Sequence, residues 1–167
     1  PAPFRGLVMA EMPEADVDEQ LGAAGWLPAP REWLAAARLI AGWPALGREI
    51  DEKTLPQEVA FDELQGVRYD KGCYTGQETV ARLHFRGHAN RVLRGLLWES
   101  GVVPSGIEIL HGERTVGTIR TIGQLGARVA ALALIRREVE VGATVSAGGA
   151  AAMVIELPDW GDTLRAG

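Results

Sequence analysis

The sequence predicts an α+β protein: a helical, loop-rich front part that runs into a small antiparallel β-barrel or sandwich. Three observations predict it. Apolar residues fill 47% of the 167 positions, enough to build a packed core. Before residue 90, segments with helical patterning alternate with Pro and Gly breaks. After residue 90, short strand-like runs recur between Gly, Pro and Ser turns, the spacing of a small all-β unit.

Phe4–Met12 reads as a strand that Pro13 ends. Asp16 can then N-cap a short helix to about Ala24, with Glu19 completing a capping-box-like pattern before Gly25 stops it. Arg31–Ala41 reads as a second helix, and Trp33, Leu34, Ala37 and Ile40 are spaced for one buried face. Asp51–Phe61 is irregular, because Pro56 favours a turn and forbids a central strand. Asp62–Leu64 suits a helical turn and Val67–Tyr69 a short extended piece. A third helix is expected from about Gly76 to Phe85, ended by Gly87. Strands are expected at Arg91–Trp98, Ile107–Leu110, Thr115–Ile122, Arg128–Ile135 and Ala151–Leu157. Ala143–Ala152 is rich in small residues, and residues 159–167 read as a polar tail.

The formal net charge of -5 argues against general binding of nucleic acid or a membrane surface. No apolar run approaches the roughly 18–20 residues that a membrane span needs. The single cysteine, Cys73, cannot form an internal disulfide, so a reducing compartment is expected. The chain opens on Pro1-Ala2-Pro3-Phe4, with neither a methionine nor a signal-peptide pattern, which suggests a piece of a longer protein.

Lys71-Gly72-Cys73-Tyr74-Thr75-Gly76-Gln77-Glu78 is the densest set of reactive residue types. A cation two residues before a thiol favours the thiolate, and the free N–H groups of a following helix favour an anion. Gly72 and Gly76 permit a tight backbone with positive φ. Gln77 and Glu78 can hydrogen-bond a heterocycle carrying both donors and acceptors. The plain alternative is a lone buried cysteine in a turn. Arg82–Arg94 holds four arginines, two histidines and no acid. Arg82 and Arg86, one helical turn apart, can grip a carboxylate or phosphate, or simply form a solvated basic face. His84 and His88 have a spacing that two metal ligands can use, but Gly87 interrupts them and no metal site is assigned. Arg38 reads locally as a snorkelling surface arginine, and Glu49, Asp51 and Glu52 as a solvated acidic loop. No Ser/His/Asp set, phosphate loop or dinucleotide fingerprint is present.

Three stretches carry a resemblance. They are Arg38-Leu39-Ile40-Ala41-Gly42 with Gly47–Asp51 and Thr54-Leu55-Pro56-Gln57-Glu58; Lys71–Glu78 with Ala81-Arg82; and Phe85-Arg86-Gly87 with Arg91. Together they resemble the YgfZ family of folate-binding proteins, relatives of the glycine-cleavage T-protein, an aminomethyltransferase. The KGCYTGQE stretch is specific to the YgfZ side of that kinship. The resemblance implies the C-terminal part of a three-domain, T-protein-like fold. Residues 1–90 would finish a folate-binding α+β body, residues 91–158 would form a small β-barrel, and residues 159–167 would be a tail. The remaining, N-terminal half would belong to the same protein or come as another chain.

The resemblance also implies a function: a tetrahydrofolate-binding accessory protein for iron–sulfur cluster assembly or maintenance, and through it tRNA modification. Iron–sulfur proteins would be its clients and the cytoplasm its location, without direct nucleic-acid or membrane contact. Cys73 would be the functional thiol, with Lys71 beside it. Arg38, Tyr74, Gln77, Glu78 and Arg82 would contact folate, the arginines through its carboxylate tail. The alternative is a tetrahydrofolate-dependent aminomethyltransferase of the T-protein type. One departure stands out: where relatives usually read R-x-E-A-G, this chain has Ile40 in place of the acid.

Overall fold

The computed structural model describes residues 14–27, 30–62, 64, 66–99 and 101–158, the side chains of residues 14–17, Arg31 and Arg86 excepted. The expected strand Phe4–Met12 and the tail from residue 159 lie outside this set.

The fold is organised around the segment Arg128–Arg136, which is apolar at nearly every position.

 That segment, RVAALALIR, is strand β4, and a strand apolar on both faces must be buried on both. Ala131, Ala133 and Ile135 point to one side and join Leu96, Trp98, Ile109, Val116, Ile119, Val145 and Val154 in a first core cluster. Ala130, Leu132 and Leu134 point to the other and join Leu39, Val59, Leu93, Leu97 and Ile155 in a second.

Six strands surround the first cluster: β1 (Arg91–Leu97), β2 (Glu108–His111), β3 (Arg114–Leu125), β4, β5 (Thr144–Ala147) and β6 (Ala150–Ile155). They form a closed antiparallel barrel in the order β1-β4-β3-β2-β5-β6, with β6 pairing back onto β1. Closure removes the sheet edges. The expected α+β class with a small antiparallel barrel is therefore the observed one. Sequence reading missed β5 as a separate strand, because Thr144–Ala147 sits inside a run of small residues. Its partner across the turn explains it: Gly148 and Gly149 have φ of 59° and 83°, the conformation of a two-residue hairpin turn, and pair Ala147 with Ala150.

Helices precede the barrel. Helix α1 (Glu14–Ala23) starts before Asp16, so Asp16 is not its N-cap. Helix α2 (Arg31–Ala41) has the expected bounds and ends on Gly42 at φ 63°. Pro56–Val59 forms a single 3-10 turn, and helix α3 (Gln77–Arg86) follows the cysteine motif. Val67–Tyr69 joins no sheet.

Helix α2 packs on the barrel by a different face from the one its spacing predicts. Leu39 is 1% exposed and lies over β3, where a Cβ on Gly123 would stand 3.1 Å from Leu39 Cδ2. Trp33, Leu34 and Ile40 are instead exposed, and Ala37 is only half-buried. Periodicity defines a stripe on a helix, but only a neighbour decides which stripe is covered. No helix among the described residues is long and apolar enough to cross a membrane.

Candidate functional site around Cys73

The site begins at the 3-10 turn. Pro56 fixes its first position, and Glu58 Oε2 accepts the Leu55 N–H at 3.1 Å. Glu58, 5% exposed, also takes a two-pronged bond from Arg91 at the start of β1, at 2.8 and 3.1 Å. That bond pushes the Arg91 pKa up and keeps the guanidinium charged. The turn is thereby fastened to the barrel.

Gln57, next to Glu58, faces the cysteine motif. Its Nε2 donates to the Tyr69 hydroxyl oxygen and to the Val80 carbonyl, each at 3.1 Å. Tyr69 lies before the motif and Val80 lies in α3 after it, so one amide holds both ends of the intervening loop. The Tyr69 hydroxyl donates to Asp62 Oδ1. Burial, followed by this bond to Asp62, pushes the Tyr69 phenol up to about 12. His84 stacks on the Tyr69 ring at 3.9 Å between centroids, with Nδ1 3.4 Å from Asp62 Oδ2. His84 is thus occupied by Tyr69 and Asp62. Among the described residues no group of three His, Cys, Asp or Glu side chains is placed to hold a metal ion.

Held at both ends, residues 70–76 project outward. Cys73 is exposed, not buried in the turn. Lys71 Nζ sits 4.5 Å from the centroid of the Tyr74 ring, a cation–π contact. Gly76 adopts φ 87° and starts α3, while Gly72 is not in the positive-φ region. A Cβ on Gly76 would meet nothing within 4 Å, so backbone conformation rather than space demands glycine there. Gln77 is half-buried, and Glu78 and Arg82 are exposed one turn apart on α3, with no hydrogen-bond or ion-pair partner given by another described side chain. Lys71, Cys73, Tyr74, Gln77, Glu78 and Arg82 therefore occupy one loop and the helix it opens.

Arg38 belongs to another corner, between α2 and β3. Its guanidinium donates to Glu49 Oε2 at 2.7 Å, to Thr121 Oγ1 at 2.9 Å and to the Trp43 carbonyl at 2.9 Å. Glu49 is 0% exposed and also accepts from the Ala45 N–H and the Thr121 hydroxyl. The expected solvated acidic loop is thus corrected at Glu49, though Asp51 and Glu52 are exposed. A bulge explains the geometry: β3 pairs Ile119 with Ala133 and Thr121 with Leu132, leaving Arg120 as the extra residue. The bulge directs Thr121 to Glu49 and Arg120 towards Asp51, at 3.4 Å. Sequence reasoning assigned no role to Gln57, Asp62, Tyr69 or Thr121. Gln57 and Glu58 lay inside a quoted stretch, but nothing local names partners 12 to 33 residues away.

The chain thus combines a closed antiparallel barrel, helix α2 on its outer face and an exposed cysteine loop. Residues 90–162 match the family model described as CAF17, C-terminal beta-barrel domain. The crystal structure of glycine cleavage system aminomethyltransferase T from Bartonella henselae superposes with a TM-score of 0.59 at 22% identity, covering 86% of this chain and 42% of that one. This is a likeness of fold. By sequence the chain is 36% identical over 124 residues to the tRNA-modifying protein YgfZ of Pectobacterium atrosepticum, covering 71% of this chain and 37% of that protein. It is 36% identical over 100 residues to the YgfZ of Serratia proteamaculans, covering 57% of this chain and 30% of that protein. The chain is a relative of the YgfZ proteins, and it spans little more than a third of their length.

Proposed function

We propose that the protein containing this chain is a tetrahydrofolate-binding accessory factor for iron–sulfur cluster assembly or maintenance, working in the cytoplasm through Cys73. Its effect on tRNA modification would pass through iron–sulfur client enzymes. The observation that carries the reading is the exposed Cys73 on a loop clamped at both ends by Gln57. A thiol meant only for packing would be buried; this one is presented to solvent from a fixed base. The kinship with proteins named tRNA-modifying protein YgfZ supports the same direction.

The residues of the Cys73 loop and α3 suit one wall of a folate site. A pterin carries donors and acceptors side by side, and the Gln77 amide offers both. The Arg82 guanidinium is available to a carboxylate tail, and Tyr74 offers a flat apolar face. Arg38 would have to share its guanidinium with Glu49 to reach the same tail. Within this chain, the work is to bind and orient the ligand and to present the Cys73 sulfur to it or to a client. The rest of the pocket would come from the polypeptide that the YgfZ relatives have beyond this length.

Replacing Cys73 with alanine in the full-length protein should abolish rescue of iron–sulfur enzyme activity in a deletion strain. Full rescue by that variant would sink the reading. Calorimetry of the full-length protein should show heat on adding tetrahydrofolate. The second reading, a folate-dependent aminomethyltransferase, is favoured by the shared Arg38–Glu58 stretch. Robust methylene transfer from an aminomethyl-lipoyl carrier would put it first.

A further inference from the structure

We infer that the outward face of α2, with the link before it, is the seam onto which the remaining polypeptide of the YgfZ-like protein packs. Helix α2 is apolar on two sides. Leu39 turns inward to the barrel, while Trp33 and Leu34 turn outward at 67% and 59% exposure. Between Glu32 and Arg38 it has no charged residue, and Arg38 itself is bonded to Glu49 and Thr121. A helix apolar on two opposite sides has more apolar surface than a single neighbour can cover. The link adds Trp26 at 64% and Leu27 at 89% exposure. Two large aromatic and two large aliphatic side chains thus face solvent within nine positions, the composition of an interface core.

The occupant follows from the lengths of the relatives. The chain covers 37% of the Pectobacterium YgfZ and 42% of the Bartonella aminomethyltransferase T. A structural match over 86% of this chain cannot be confined to the barrel and α3, so it reaches into the segment that holds α2. In those proteins the same substructure sits in a chain more than twice as long. The uncovered side of α2 is where this substructure lacks a neighbour. The inference rests on the kinship with YgfZ and not on folate, so a failed folate titration leaves it standing.

The test compares two proteins by hydrogen exchange: the 167-residue chain, and a chimera joining it to the part of the Pectobacterium YgfZ that it does not match. Amides of α2 should exchange about tenfold more slowly in the chimera. The double variant Trp33→Ser, Leu34→Ser should lower the melting temperature of the chimera and leave that of the 167-residue chain unchanged, since both side chains are solvated in the latter. A folded chimera with α2 as open to exchange as in the short chain overturns the proposal. So does a 167-residue chain that dimerises and is returned to monomer by the double variant, because a second copy is then the occupant. Equal loss of stability in both proteins would likewise overturn it, by placing the two side chains in the fold of the short chain.

Discussion

Arg38 shows what one side chain does once its neighbours are known. It ties α2 to the loop after it and to β3, and it is the counter-charge of a carboxylate shut away from water. Removing one partner of a buried pair leaves the other charge uncompensated. Arg38→Met should therefore cost about 3 kcal/mol in urea unfolding. A loss below about 1 kcal/mol would mean that water reaches Glu49 in place of the guanidinium. Tyr69 gives a second residue-scale prediction. Its phenol is raised from an ordinary 10.0 to about 12, so the folded state favours the protonated form. Its contribution to stability is fully present below pH 10 and is lost as pH rises towards about 12. The chain has only two tyrosines, so absorbance titration can follow this late ionisation directly, and Tyr69→Phe should remove it. The same variant loses the bonds to Asp62 and Gln57 and should destabilise by about 1–2 kcal/mol. None of these partnerships was legible in the sequence, since each joins residues with no fixed spacing.

At the scale of elements, close approach rather than propensity sets several identities. Gly117 in β3 lies against β4, where a Cβ would stand 2.4 Å from the Leu134 carbonyl oxygen. Gly117→Ala should push the two strands apart and cost on the order of 2 kcal/mol, read by thermal unfolding. Exchange should rise in β3 and β4 before it rises in β5 and β6. Element existence was well predicted: α2, α3 and most strands follow from periodicity and from Gly and Pro breaks. The misreadings have particular causes. Strand β5 is four residues long and ends in the small Ser146 and Ala147, so only pairing with β6 reveals it. The outward face of α2 looked buried because its apolar stripe is real, while the surface that would cover it is not in this chain's described fold.

At the scale of the whole molecule, β4 belongs to both core clusters, so barrel and helices share one foundation. Unfolding should be a single transition, with fluorescence of the buried Trp98 and helical circular dichroism changing together. Leu39→Ala, which empties the α2–barrel contact, should lower both signals' midpoints equally and cost about 2–5 kcal/mol. Separate midpoints would mean that the helices are held independently of the barrel.

By itself the sequence determined the α+β class, a small antiparallel barrel or sandwich and most element bounds, and it marked the Cys73 motif as a candidate site. These are carried by local pattern: alternation, helical period, glycine at a fixed turn and contiguous reactive residues. Only the tertiary structure decided that Cys73 is exposed, that Gln57 clamps both ends of its loop, and that Glu49 is buried against Arg38. It alone showed which face of α2 is covered. Those facts depend on residues far apart in the chain, and burial is a property of neighbours that no single segment contains.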